Sequence, residues 1–449
     1  MGGGQFLMNI GIVDQTVEGW TAGRIYTDTL VRSITTYGPE HRVVLLTSDP
    51  SAWSHLDGVE CTRIPSFHTG EDLLGPVESL GLEVILPIRD TPCHHLPFAK
   101  VGWIPDFQHL QLPWLFEPDE RAYRDEMFRY LASAMGTVLF SSEDSLSEFA
   151  AFAPEFRHKG RVARFPSSMV YHSPGGTPDA TLEKYRLREP FVLVANQLWR
   201  HKNHLVVVQA AHILADRGVR VPFVFSGKPA DRRDPEASGV SQILREIAMG
   251  PACNLIRLLG EIPHSELMDL VRSAGCIVQP SRCEGWNTTL QDAVAFGRPV
   301  VASFLPVHRE QLGSDGAFFD PDDPRELADW IVEKLDSVVP FDIETESIAL
   351  ERHRDVARAF AESVLVAARD ATQTEAISAG LDFTGRLREA APRIFALVDS
   401  HEKERMIQSL KEALGLRGAQ LSMATAEAEM LRQVCEERLE LINRLSGKA

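Results

Sequence analysis

One acidic turn in this chain has residue types suited to binding a phosphorylated sugar. Glu284 and Gly285 follow the apolar run 276–279, and a helix is predicted to begin near Asn287 or Thr288, which are good N-caps. A helix N-terminus attracts phosphate, because its first N–H groups lack partners within the helix. The glycine lets a ligand approach the main chain, and the carboxylate can accept hydrogen bonds from sugar hydroxyls.

A second carboxylate, Asp292, lies further along the same predicted helix, where it could reach ribose hydroxyls. The spacing has a plainer interpretation as well. An ordinary strand–loop–helix would carry an exposed Glu284 and place Asp292 on the helix surface. The spacing of the residues does not separate these two interpretations.

Apolar strand-like runs alternate with helical patterns on both sides of this turn, which predicts α/β domains with parallel sheets. The first set has predicted strands at 6–13, 42–47, 82–88 and 137–140, and helices at 26–36 and 121–134. A loop-like linker is predicted at 167–190. The second set has predicted strands at 191–195, 221–225, 255–259, 276–279 and 299–302, and helices at 203–215, 265–273 and 289–296.

These runs divide the chain into two Rossmann-like domains, residues 1–175 and 176–340, followed by helices at 341–400 that partly cross back to the first domain. The tail 401–449 is predicted as a coiled coil, since mostly apolar positions recur there every three and four residues. Gly415 and Gly418 weaken that pattern, and a single helix packed on the globular body is the alternative. The coiled coil predicts a homo-oligomer or a protein partner.

Composition and charge exclude some classes of function for this chain. The 449 residues carry a formal net charge of −17 at pH 7, which argues against a nucleic-acid partner. Neither a signal peptide nor a transmembrane segment is predicted, and the six cysteines form no CxxC pair, so a cytoplasmic protein with reduced thiols is expected. The run Cys93-His94-His95 is interpreted as a loop that follows a strand, and a metal site is the alternative. Asp320-Pro321-Asp322 is interpreted as a turn and helix cap.

Five segments, in order along the chain, resemble retaining glycosyltransferases of family four (glycosyl transferases group 1), which have the GT-B fold. The turn 284–292 is similar to their E-x7-E region, and the strand and loop 299–310 to the part that follows it. The other similar segments are 191–204, 259–267 and 103–113, the last resembling a subset that builds bacterial surface polysaccharides. The N-terminal segment 21–26 is similar to the family's glycine-rich loop.

The resemblance implies a site residue by residue. Glu284 and Gly285 would meet the donor sugar, and Trp286, Asn287 and Thr288 would line the sugar and pyrophosphate with backbone N–H groups. The remaining donor-side residues implied by the resemblance are Lys202 on the phosphates, Gly23 with Arg24 near them, and Asp292 on the ribose. It implies a nucleoside-diphosphate sugar as co-substrate, with no cofactor and no metal.

Three positions depart from the family. Asp292 is shorter than the usual glutamate, and Gln197 replaces an arginine, which removes a cation that Arg200 would partly restore. Pro105 replaces a histidine of the first-domain loop. Asp106 remains there as a candidate catalytic residue, and His109 nearby is either a second candidate or a structural residue.

The predicted function is therefore transfer of a sugar to a hydroxyl of a saccharide or lipid-linked saccharide, with retention, by a cytoplasmic enzyme that is either free or peripheral at the inner membrane. Lys202 and Glu284 are the central catalytic candidates. The departures leave two alternatives open. One is a catalytically weak or inactive scaffold in a polysaccharide-assembly complex, and the other is a sugar-nucleotide epimerase.

Overall fold

A computed structural model describes residues 7–16, 21–65, 70–89, 93, 96–172, 176–187, 190–229, 238–314, 316–336 and 341–374. These residues form two parallel β-sheets, each covered by helices, and a long final helix. The architecture confirms the predicted α/β class. The predicted coiled coil at 401–449 lies outside the described residues, as do His94 and His95.

The first sheet has the strand order β3-β2-β1-β4-β5-β6-β7, with every pair parallel. Its strands are β1 (Asn9–Val13), β2 (Arg42–Thr47), β3 (Glu60–Arg63), β4 (Val84–Ile88), β5 (Ala99–Trp103), β6 (Thr137–Phe140) and β7 (Gly160–Val162). Its helices are α1 (Thr21–Tyr37), α2 (Gly70–Leu80), α3 (Gln108–Gln111), α4 (Pro118–Ala134) and α5 (Glu143–Phe152). Short 3-10 turns at Pro50–Trp53, Pro113–Leu115 and Pro154–Lys159 complete this domain.

The second sheet has the order β10-β9-β8-β11-β12-β13, again all parallel. Its strands are β8 (Val192–Ala195), β9 (Phe223–Ser226), β10 (Ile256–Gly260), β11 (Cys276–Gln279), β12 (Val300–Ser303) and β13 (Ala317–Phe319). The helices are α6 (Asp179–Lys184), α7 (His204–Asp216), α8 (Ser238–Met249), α9 (His264–Ser273), α10 (Thr288–Ala295), α11 (Pro306–Leu312) and α12 (Pro324–Asp336). The 3-10 turns at Ser168–Tyr171 and Arg200–Lys202 belong to the linker and to the loop after β8.

In each sheet the order in which the strands are added along the chain switches sides at one point. This switch point lies between β1 and β4 in the first sheet and between β8 and β11 in the second. At such a switch point the loops after the two central strands diverge and leave a crevice at the strands' carboxyl ends, where open α/β sheets bind ligands. The central strands are apolar and buried on both faces, as parallel strands under helices must be. The fold therefore places the candidate loops after β8 and β11 side by side.

The 31-residue helix α13 (Ile343–Gln373) joins the two domains. Near its start Leu350 packs in the second-domain core, and further along Phe360 and Val364 pack in the core of the first domain. Buried Arg272 of α9 pairs with Glu346 at 2.9 Å, and Arg161 pairs with Asp370 at 2.7 Å near the other end. Because one continuous helix contributes to both cores, it limits how the domains can sit relative to each other. None of the described helices is long and apolar enough to cross a bilayer.

The predicted strands at 42–47, 137–140 and 276–279 are confirmed with the same bounds, and most other predicted elements agree within a few residues. The pattern missed β5, and the reason is physical. Lys100 lies inside this strand, but its ammonium is buried and donates to the carbonyls of Leu96 and Phe98 at 2.8 and 2.7 Å. The buried ammonium is stabilised by these carbonyls, so the strand tolerates it. In the sequence, however, the lysine interrupts the apolar run from which a strand would be predicted. The predicted linker 167–190 also contains α6.

Candidate functional site

Polar side chains meet at the switch point of the second sheet. Asn196, directly after β8, donates from Nδ2 to the Oε1 of Gln279 at the end of β11, at 2.8 Å. The same oxygen accepts a bond from Asn287 Nδ2 at 3.0 Å. All three side chains are buried, so these bonds replace bonds to water and hold the two loops in one arrangement.

The carboxylate of Glu284 lies at the centre of this arrangement. Its Oε1 is 2.6 Å from the ammonium of Lys202 and accepts bonds from Ser281 Oγ at 2.6 Å and Asn287 Nδ2 at 3.2 Å. The two charged side chains are only 16% and 8% exposed, so their attraction is screened less than that of a surface pair. The structure thus brings together Lys202 and Glu284, which lie 82 residues apart in sequence.

Local backbone conformation explains how Lys202 reaches this place. The 3-10 turn Arg200–Lys202 ends at Asn203, which has a left-handed conformation with φ 53°. Asparagine adopts this conformation more readily than most residues. Helix α7 then begins at His204, whose burial lowers its pKa to about 3, helped by the charge of Lys202. His204 is therefore neutral and adds no charge to the site.

Helix α10 begins beside Glu284, as predicted. The Oδ1 of Asn287 caps the helix by accepting the N–H of Leu290 at 2.9 Å. The main-chain N–H of Asn287 itself donates to Gln311 Oε1 at 3.2 Å, and Gln311 Nε2 donates back to Asn287 O at 3.0 Å. This N–H, predicted to contact pyrophosphate, is therefore occupied by a side chain of α11. Thr288, the first residue of α10, is exposed.

The indole of Trp286 does not line the crevice. It packs against the first-domain core, and its Nε1 donates to the carbonyl of Phe165 at 2.8 Å. A large aromatic ring with one polar atom gains most where the ring is buried and the N–H finds an acceptor. The side chain of Trp286 thus holds the two domains together. The sequence-based prediction concerned the backbone N–H of Trp286, which this packing of the indole does not test.

The first domain contacts the acidic turn at Gly285. A Cβ built there would stand 1.7 Å from the carbonyl oxygen of Pro105 and 3.1 Å from the Cβ of Asp106. The Oδ1 of Asp106 accepts the N–H of Gln108 at 3.0 Å, which fixes this loop. The candidate loops of the two domains are therefore in direct contact at this point.

His109, the other first-domain candidate, points elsewhere. Its side chain is fully buried, its ring lies near those of Phe107 and Phe128, and Nε2 is 3.0 Å from Asp125. It lines an open cavity of about 440 Å³ beside α4. The structure favours the structural role for His109, because its imidazole completes an aromatic cluster of the first domain.

The carboxyl of Asp292 faces the linker. It accepts the hydroxyl of Ser167 at 2.6 Å, and burial raises the pKa of Asp292 to about 6, against the lowering effect of that bond. The N–H of Ser167 donates to His353 Nε2 at 3.0 Å, and His353 also contacts Gln291. The side chain predicted to reach a ribose is thus bound by Ser167 of the linker.

The remaining predicted residues lie around this centre. Gln197 Oε1 accepts the N–H of Lys228 at 2.7 Å, and Arg200 is exposed on its 3-10 turn. Gly23 lies in the first turn of α1 rather than in a loop, which corrects the prediction of a glycine-rich loop at this residue. Arg24 donates to the carbonyl of Ala52 at 3.1 Å, so it anchors the helix to its own domain.

Sequence reasoning missed several residues that hold Glu284 and its turn. They share one signal, since each ends an apolar strand or follows it within two residues, where parallel sheets present polar side chains to the crevice. These residues are Asn196, Gln279, Ser281 and Ser303, the last donating to the carbonyl of Ser281. Gln311 carries no such signal, because it reaches the site from a helix.

Comparison with known proteins agrees with this geometry. Residues 189–337 match the family model described as "Glycosyl transferases group 1". Over 156 residues the chain is 29% identical to O-antigen chain mannosyltransferase B of Escherichia coli, covering 34% of this chain and 39% of that protein. It is 26% identical over 170 residues to D-inositol 3-phosphate glycosyltransferase 1 of Catenulispora acidiphila, covering 36% and 40%. The chain thus spans about two fifths of the length of these relatives.

Solved structures share the whole fold. HepE of Anabaena, in complex with UDP-glucose, superposes with a TM-score of 0.57 at 16% identity, covering 80% of this chain and 100% of that one. An α,α-trehalose-phosphate synthase (UDP-forming) of Burkholderia vietnamiensis gives 0.57 at 13% identity, covering 81% and 98%. The two-domain arrangement is the GT-B fold.

Proposed function

We propose that this protein, which carries a group 1 glycosyltransferase domain on a GT-B fold, moves a sugar from a nucleoside diphosphate to a hydroxyl acceptor. One observation carries the proposal. Lys202 and Glu284 meet at 2.6 Å in the switch-point crevice of the second domain, in the turn that faces Pro105 and Asp106 of the first. A cation for phosphate and a carboxylate for sugar hydroxyls are the two groups that such a donor requires.

The roles follow from the chemistry of the donor. Lys202 would exchange part of its attraction to Glu284 for the phosphates, and would stabilise the negative charge that grows as the nucleoside diphosphate leaves. The exposed N-terminus of α10 at Thr288 would add the helix dipole. Glu284, held by Ser281 and Asn287, would accept bonds from the sugar hydroxyls. In this scheme side chains and backbone meet the phosphate charge, and no metal is invoked.

The stereochemical course proposed is retention, as the resemblance of the E-x7-E region implies. Asp106 is a first-domain carboxylate whose Cβ lies 3.1 Å from where a Cβ on Gly285 would stand. We place it at the reacting face, where a carboxylate can stabilise an oxocarbenium-like transition state. The contact between the domains would exclude water, which otherwise hydrolyses the donor.

The biological setting proposed is glycan or polysaccharide synthesis in the cytoplasm, with a saccharide or lipid-linked saccharide as acceptor. A mannosyltransferase of O-antigen chains among the relatives supports this class of acceptor. A neighbour solved with UDP-glucose supports a sugar nucleotide as donor. Peripheral attachment at the inner membrane is part of the same proposal where the acceptor is lipid-linked.

Specific observations also favour the catalytically inactive scaffold as a second candidate. Gln197 replaces a phosphate-binding cation, the N–H of Asn287 is taken by Gln311, and Asp292 is bound to the linker. Each of these changes removes one contact expected for a donor. The structure adds no observation in favour of the epimerase.

The experiment is calorimetry of the full chain with UDP, GDP, UDP-glucose and GDP-mannose, followed by measurement of nucleoside diphosphate release from any sugar nucleotide that binds. The enzyme should bind at least one nucleotide and release the diphosphate with water or added glycosides. Binding without release would favour a catalytically inactive protein. Absence of binding across the four compounds would overturn the proposal for these two bases.

The tail adds a proposal about assembly that rests on the sequence. Its repeating apolar positions predict oligomerisation or a protein partner through residues 405–446. Deletion of these residues should lower the mass measured by light scattering. An unaltered mass would contradict self-association.

A further inference from the structure

A second carboxyl group of the first domain, Glu148, interacts electrostatically with Asp106 and has no role in the scheme above. It is on α5 and is only partly buried, so part of this side chain is open to solvent. Its Oε1 accepts a hydrogen bond from the amide of Gln111, at the end of α3. The loop that contacts Gly285 therefore continues into a helix that holds Glu148.

The surroundings of Glu148 raise the pKa of its carboxyl. Burial, together with the carboxylates of Asp144 and Asp106, raises the pKa of Glu148 to about 7. The bond from Gln111 acts in the opposite direction, because it stabilises the carboxylate. Carboxyls with strongly shifted pKa values concentrate at functional sites.

Helix α5, which carries Glu148, lies at the junction with the second domain. Burial raises the pKa of Cys283, the residue before Glu284, and the charges of Asp106, Glu284 and Glu148 add to that effect. The charges of both domains therefore act on the buried Cys283 thiol. Helix α5 is also tied to the second domain, since the N–H of Glu143 donates to Glu310 at 2.8 Å.

We infer that Glu148 and Gln111 form the subsite that binds the hydroxyl groups of a saccharide acceptor, across the cleft from Glu284. This inference rests on the proposed function and names the ligand class of its first-domain side. A carboxylate accepts and an amide both donates and accepts, which together match neighbouring hydroxyls of a sugar ring. Asp106 and Asp144 add negative charge, so the subsite selects a neutral saccharide over a phosphorylated one.

The test uses the full chain and a donor identified by the calorimetry above. Nucleoside diphosphate release is measured with water alone and with a panel of neutral methyl glycosides from pH 6 to pH 8. In the wild type the KM for an effective glycoside should fall as pH rises through about 7, because the ionised carboxyl is the stronger acceptor. Glu148→Gln should raise that KM about tenfold and abolish its pH dependence, while release with water alone stays within about twofold.

Two further variants separate binding from folding. Gln111→Leu removes the bond that favours the carboxylate, so the midpoint of the pH dependence should move upward. Glu155→Gln removes an exposed carboxylate of the same domain and should match the wild type. An unchanged KM and pH profile in Glu148→Gln, with hydrolysis intact, would overturn the inference and leave the proposed function standing. Failure of every glycoside to accelerate release in the wild type would overturn it as well, since a saccharide is the ligand named.

Discussion

Gly285 of the second domain lies directly against the main-chain carbonyl of Pro105 in the first. A Cβ on Gly285 would stand 1.7 Å from that oxygen, so any other residue would have to displace main chain rather than rotate a flexible side chain. The two atoms belong to loops that carry Glu284 and Asp106. This contact therefore sets the separation of the donor turn from the opposite domain.

Gly285→Ala should open the cleft at this point. A misplacement of about 1 Å at a reacting centre lowers rates by about a hundredfold, so donor turnover should fall tenfold to a hundredfold. The measurement is nucleoside diphosphate release, with the thermal unfolding midpoint as a check on folding. Gly75→Ala is the control, because a Cβ there meets no atom within 4 Å. Wild-type turnover in Gly285→Ala would mean that this contact does not position the donor turn.

Lys202→Ala should weaken nucleotide binding. The change removes the ammonium beside Glu284 and leaves that carboxylate to repel phosphate. Loss of a charge-assisted bond and of its counter-charge predicts about a ten- to hundredfold lower affinity for the nucleoside diphosphate. Calorimetry measures this directly. Lys184→Ala, which removes an exposed lysine paired with Glu266 in the same domain, should bind like the wild type. Equal affinities in both variants would remove Lys202 from the site.

The buried carboxyl of Asp292 predicts a pH dependence of stability. Its pKa is raised from 3.8 to about 6 by burial, so the folded state holds the proton more tightly than the unfolded state. The free energy of unfolding therefore loses about 3 kcal/mol from this group as pH rises from about 4 to above 6, and stays at that level beyond. Asp292→Asn should gain stability relative to the wild type over the same interval.

Urea unfolding of both proteins at pH values between 4 and 8 gives that difference. Asp355→Asn, at a carboxylate that is 80% exposed, is the control and should show a small difference with little pH dependence. A difference between Asp292→Asn and the wild type that does not change with pH would contradict the assignment.

The buried ion pair of Arg272 and Glu346 predicts that substitutions at these two residues have coupled effects on the free energy of unfolding. Their side chains are 2% and 3% exposed, and they join α9 to the start of α13. Removing one partner of a buried ion pair leaves an uncompensated charge, so Arg272→Met should lower the free energy of unfolding by about 3–5 kcal/mol. The double variant Arg272→Met with Glu346→Leu should recover part of this loss. Additive losses in urea unfolding would show that the two side chains are not coupled.

Local sequence determined the parts of the site that depend on neighbours along the chain. Apolar runs at 276–279 and 191–195 predict strands, and the cap at Asn287 predicts the start of α10, because these signals lie within a few residues of the element they define. Lys202 and Glu284 each follow such a strand. Parallel strands present their following loops at one edge, so the meeting of these two side chains could be anticipated from order alone.

Only the tertiary structure decided which way the other candidates point. Trp286 and Asp292 belong to the same predicted loop and helix as Glu284, yet one packs on the first domain and the other binds Ser167. Their partners lie 121 and 125 residues away, and no periodicity encodes such a distance. His109 is buried for the same reason, because its ring packs near Phe128, which a separate helix, α4, supplies. Sequence specifies which residues are near a strand's end, whereas the packing of distant segments decides which of them a ligand can touch.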